Sequence, residues 1–134
     1  MNMACHHIGI FAEDPQLLIR FYTQSLGFVE GDTRILSPEL TEKIFGIRDE
    51  CRLTKLKQDQ AVIEIFAPLH PSLIEHRSRT AGYNHWALEV EDKEAFIQIL
   101  EKRNVLVRKI DNQGRLIYFV SDPEENLIEI YESR

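Results

Sequence analysis

The sequence predicts an α+β protein built from two βαβββ modules, each a curved mixed sheet with a helix on its outer face. Three observations carry this expectation. Strand-like and helix-like segments recur in the same order in residues 4–66 and again in residues 83–131. Each module opens with a strand that runs into an aspartate-capped helix. The 134 residues suit a single domain, 1–134, made of two fused halves. One half cannot close its sheet around a core. Two halves, side by side or exchanged between chains, can enclose a cavity.

The elements follow in order. Residues 4–11 (ACHHIGIF) are apolar and β-branched, as in a strand. Asp14-Pro15 starts a helix, with Asp as N-cap and Pro at the first helical position. Leu18, Phe21, Tyr22 and Leu26 give it one apolar face, and Gly27 ends it. A short strand is expected near Phe28–Glu30 and a short capped helix after Ser37-Pro38. Residues 51–57 (CRLTKLK) alternate as a half-buried strand whose polar face carries Arg52, Lys55 and Lys57. Asp59-Gln60 turns the chain into the strand 61–66 (AVIEIF). The second module repeats this plan. It has a strand at 83–90, a helix capped by Asp92, and strands at 105–110, 116–121 and 126–132.

The bulk composition excludes several functions. A net charge of −6 offers no basic surface for nucleic acid. No apolar run approaches the ~18 residues of a membrane span, and MNMACHHIGIF lacks the plan of a signal peptide. Cys5 and Cys51 form no CxxC or Cys/His cluster, and read as reduced, mostly buried thiols of a cytoplasmic protein.

The repeat extends to polar residues. His7 and His85 stand on the first strand of each module, and Glu64 and Glu129 on the last. Each Glu shares a strand face with apolar residues, Val62 and Phe66 in one module, Leu127 and Tyr131 in the other, and its immediate neighbours make the opposite face apolar too. A carboxylate on a strand covered on both sides costs several kcal/mol unless paired or metal-bound. Two imidazoles and two carboxylates facing one cavity suit a divalent ion: Zn, Ni, Co, Mn or Fe(II). His6 falls on the opposite strand face and reads as exposed, while His70 and His76 lie in the joint between modules without a pattern.

With these residues in view, the chain resembles the vicinal oxygen chelate superfamily, which includes glyoxalase I, acyl-CoA epimerases, extradiol dioxygenases and drug-resistance proteins. The likeness rests on His7-Ile8-Gly9-Ile10 with Leu26-Gly27-Phe28, on Asn84 to Val90, and on Phe119 to Pro123 with Asn126 to Ile130. The family's closing Asp-Pro-Asp-Gly-Asn turn is here Asp122-Pro123-Glu124-Glu125-Asn126, without the Gly. The resemblance implies a homodimer acting on a small molecule, with His7, Glu64, His85 and Glu129 as ligands of one divalent metal, Zn, Ni or Co before Mn or Fe. It implies a lyase or isomerase of the glyoxalase I type, which moves a proton through an enediolate or enolate held on the metal. Glu129 is then the general base, with Glu64 second, and Phe11, Phe66 and Tyr131 are expected to contact substrate.

Phe11 and Pro68 stand where glyoxalase I proteins place an Arg and an Asn for glutathione. Ile63 to Pro68 and Gly82 to His85 look somewhat like the acyl-CoA epimerases, whose closing segment fits less well. Two further readings are a ring-cleaving dioxygenase with Fe(II) on His7, His85 and Glu129, which Glu64 opposes as a fourth ligand, and a drug-binding protein without catalysis, which the intact ligand set opposes.

Overall fold

A computed structural model describes residues 1–76 and 81–133. The stretch 77–80, within the expected joint, and Arg134 lie outside the described residues. The chain divides into two compact units, 1–76 and 77–134. This places the boundary inside the segment expected to join the two modules.

The first unit contains β1 (Ile8–Phe11), α1 (Pro15–Arg20), β2 (Val29–Leu36), α2 (Pro38–Phe45), β3 (Cys51–Gln58) and β4 (Ala61–Pro68). Its four-stranded sheet has the order β1-β4-β3-β2. β1 runs parallel to β4, and the other pairs are antiparallel. Asp14 accepts the Leu17 N–H and Ser37 the Leu40 N–H, so both expected N-caps form. The first helix widens into a π-helical turn over Phe21–Ser25. There the Thr23 hydroxyl donates to the Ile19 carbonyl at 2.8 Å, occupying the acceptor that an α-helical N–H would use. Leu18, Tyr22 and Leu26 are all buried, and α1 packs on β4, whose Ile63 and Ile65 are buried with Leu56 of β3.

Two expectations change here. The strand foreseen near residues 28–30 is the eight-residue β2, exposed along nearly its whole length. It is the edge of the sheet, carries a register shift between Glu30 and Thr33, and so lacks a one-sided apolar pattern. Within β3, Lys55 and Lys57 share a face with Cys51 and Leu53, while Arg52 lies on the other face with Thr54 and Leu56. The strand therefore has no polar face. It has one face buried at one end and charged at the other. Cys51 is fully buried, as expected, but Cys5 is exposed.

The second unit contains β5 (His85–Val90), α3 (Lys93–Lys102), β6 (Val107–Asn112), β7 (Arg115–Ser121) and β8 (Leu127–Glu132). Its sheet has the order β5-β8-β7-β6, with β5 parallel to β8, which is the connectivity of the first unit repeated. Asp92 caps α3 by accepting the Ala95 N–H. Ile97 and Leu100 of α3 are buried, as are Tyr118, Val120, Ile128 and Ile130 of the sheet. Neither sheet closes on itself. No described helix is long and apolar enough to cross a membrane.

Candidate metal centre

In the first unit the parallel ladder sets Gly9 opposite Glu64 and Phe11 opposite Phe66. His7 comes just before β1 and shares the face of Gly9 and Glu64. Its Nε2 lies 3.3 Å from Glu64 Oε1, and Glu64 is nearly buried, with a side chain 12% exposed. One end of this face is closed by α2. Phe45 packs edge-on against Phe11 and Phe66, with ring centroids 4.9 and 5.0 Å apart, over buried Cys51 and Leu53. Phe11 and Phe66, expected to touch substrate, thus form an apolar wall beside Glu64.

The second unit repeats the arrangement. His85 begins β5 opposite Leu127, and Glu129 follows two positions along β8 on the same face. His85 Nε2 lies 3.4 Å from Glu129 Oε2. Tyr131 continues that face and is 38% exposed. Phe119 stands opposite Glu129, edge-on to the His85 ring, with the Arg108 guanidinium 5.4 Å above its centroid.

In both units the residue before the histidine fixes the ring. His85 Nδ1 donates to Asn84 Oδ1 at 2.8 Å, so the neutral imidazole keeps its Nε2 lone pair for the glutamate side. His7 Nδ1 is 2.8 Å from His6 Nδ1. His6 is exposed as expected, yet its ring contact holds the His7 imidazole in place. His6 and Asn84 occupy equivalent places in the repeat, and that equivalence is the signal in the sequence that points to them. His70 and His76 have other partners in the first unit, Asp49 and Glu13.

The donor set fits a divalent cation. Metal–N and metal–O bonds of about 2.0–2.2 Å place neighbouring ligand atoms roughly 3.0–3.5 Å apart, and both His–Glu spacings fall there. Each unit holds one such pair within itself. Among the described residues no group of three or more His, Cys, Asp or Glu is drawn together as ligands.

Two cations stand on this face: Lys55, which the sequence placed on a polar strand face, and Arg34, which it did not single out. Lys55 stands directly opposite Glu64 in the β3–β4 ladder, and Arg34 stands opposite Leu53. Both line a cavity of about 300 Å³ together with Asp32 and Leu53.

Comparison with known proteins agrees with this architecture. The profile of the Glyoxalase/Bleomycin resistance protein/Dioxygenase superfamily matches residues 4–130. The uncharacterized protein YaeR of Escherichia coli K12 is 31% identical over 131 residues, covering 95% of this chain and 94% of that protein. The trypanothione-dependent glyoxalase I of Leishmania major superposes with a TM-score of 0.69 at 24% identity, covering 98% of this chain and 87% of that one. A fosfomycin resistance protein, FosX, of Listeria monocytogenes, in complex with Mn(II) and a dihydroxypropylphosphonic acid, gives 0.66 at 16% identity, covering 100% and 95%. These two structural likenesses concern the fold.

Proposed function

Because the chain belongs to the Glyoxalase/Bleomycin resistance protein/Dioxygenase superfamily, we propose that it is a metal-dependent lyase or isomerase of the glyoxalase I type. It moves a proton at a carbon beside a carbonyl in a small oxygenated or thioester substrate. The observation that carries this reading is the duplicated His–Glu pair, 3.3 Å apart in one unit and 3.4 Å in the other, at equivalent strand positions. His7, Glu64, His85 and Glu129 together hold one divalent ion, with Zn, Ni or Co ahead of Mn or Fe. The Mn(II) in the FosX structure supports a divalent ion on this fold.

When bound, the ion draws charge onto a substrate oxygen and lowers the pKa of the neighbouring C–H. The chain's own residues do the rest. Glu129 takes and returns the proton, and its 26% side-chain exposure, against 12% for Glu64, favours it as the mobile carboxylate. Glu64 is the second candidate. His6 and Asn84 keep the imidazoles aimed. Phe11, Phe66 and Tyr131 border the substrate and limit water. The protein works as a homodimer in the cytoplasm, which suits its two unpaired cysteines.

Metal analysis and solvent-deuterium incorporation test this. The purified protein should hold a divalent ion and exchange a proton in a glutathione thiohemiacetal or in methylmalonyl-CoA. Glu129→Gln should cut exchange by roughly 10²–10⁴-fold, and His85→Ala should lose the metal. Metal-loaded protein that incorporates no deuterium in either substrate would overturn the proposal.

A further inference from the structure

We infer that Arg34 and Lys55 form a seat for an oxyanion on the substrate, a carboxylate or a phosphate, placed one strand away from Glu64. This inference rests on the metal-site reading above for its link to catalysis, although the anion seat can be measured separately.

The ladder register is the starting point. Lys55 of β3 is the direct partner of Glu64 of β4, so both side chains rise from the same face. Two such oppositely charged neighbours would ordinarily pair. Here the carboxylate turns to His7 instead. Among the described residues neither Lys55 nor Arg34 has an ion-pair partner within 4.0 Å. Both line the same cavity, whose apolar floor is the buried Leu53. Asp32 also lines it, which leaves two cations and one acid.

Such a cavity selects by charge and shape. A guanidinium offers a planar fork for two oxygens, and an ammonium adds a point charge beside it. Leu53 excludes water from one side, which strengthens the attraction. Adjacent strands lie ~4.8 Å apart. An anion held by Lys55 therefore sits within a few bonds of any substrate atom beside Glu64. The substrate class is a small molecule whose carboxylate or phosphate lies close to its reacting carbon, rather than one whose charges lie at the far end of a long carrier.

Titration of inorganic phosphate, and separately of acetate, into the cobalt-loaded and metal-free protein tests this, followed by amide NMR shifts of β2 and β3. The expected result is saturable shifts in those strands with and without cobalt. The stronger of the two ligands identifies the oxyanion. Arg34→Gln and Lys55→Gln should each weaken the binding about tenfold or more. Arg34→Lys and Lys55→Arg should recover most of it, and melting curves should show all four variants folded. Shifts absent from β2 and β3, or affinities that the Gln variants leave unchanged, would overturn the inference. The visible absorption of cobalt reads the metal site on its own. Cobalt uptake without anion binding removes only the anion seat. Anion binding sensitive to Arg34 and Lys55, without cobalt uptake, removes only the metal reading.

Discussion

The edge of the Phe66 ring overhangs Gly9: a Cβ at Gly9 would stand 3.2 Å from Phe66 Cε2. Gly9 is also the ladder partner of Glu64, so the bare glycine lets the ring lean across β1 beside the carboxylate. Gly9→Ala must shift the ring by a few tenths of an ångström within a cluster where Phe45 and Phe11 already pack at 5.0 and 6.0 Å. A loss of about 1 kcal/mol is expected, read as a lower Tm. Metal affinity measured in parallel should also fall. A variant with wild-type Tm would mean that the ring has room to move.

The turn between β7 and β8 holds Glu125 at a φ of 67°, where the family places a glycine. Left-handed backbone costs a side-chain-bearing residue roughly 1 kcal/mol. The Asp122 carboxylate offsets this by accepting the N–H groups of Glu124 and Asn126 and the Asn126 amide. Glu125→Gly should therefore keep or raise Tm by a few degrees, which corresponds to less than about 1 kcal/mol once glycine's extra chain entropy is counted. A clear drop in Tm would mean that the interactions of Glu125 outweigh the relief of its backbone strain.

Acid should weaken the first unit through Asp49. The His70 backbone N–H donates to its carboxylate at 2.7 Å, and the His70 ring lies 3.1 Å away, which together hold its pKa below the ordinary 3.8 against the opposing effect of burial. A depressed carboxylate stabilises the fold above its unfolded pKa, and that contribution is lost as pH falls through the lower folded value. Urea unfolding at neutral pH should show Asp49→Asn clearly weaker than wild type. The gap should close between about pH 4 and pH 2. A gap constant over that range would assign the loss to packing.

The two thiols should separate cleanly. Burial, with the Asp49 charge nearby, pushes Cys51 up to about 11, whereas Cys5 is exposed. At pH 8 a colorimetric disulfide reagent should titrate one thiol per chain, and the second only in denaturant. Fast reaction of both in the native protein would mean that the Cys51 end of the sheet opens readily.

The repeat was legible because its punctuation is local. Asp14-Pro15, Ser37-Pro38 and Asp92 each place a helix start within a few residues, and all three caps form. The His–Glu pairs followed from equivalence between the halves. What stayed hidden depends on register. β2 is exposed on both faces as an edge strand, so no period marks it. The partnership of Lys55 with Glu64, and of Arg34 with Leu53, exists only once the ladders are aligned. The π-helical turn is a change from i−4 to i−5 backbone pairing, as in the Leu26 N–H bond to the Phe21 carbonyl, which helical spacing does not reveal.

The parallel pairing has a consequence for folding order. β1 joins β4 across the span from Ile8 to Ile63, and β5 joins β8 across that from His85 to Leu127, whereas β3–β4 and β7–β8 are neighbours in sequence. Distant strands meet at a higher entropic cost and more slowly than hairpins. Each imidazole is therefore expected to reach its carboxylate late in the assembly of its own sheet. Hydrogen exchange should find the amides of Ile8–Phe11 less protected than those of β3. A divalent ion should slow them selectively, which would make the cofactor a clasp on the latest-forming seam of the protein.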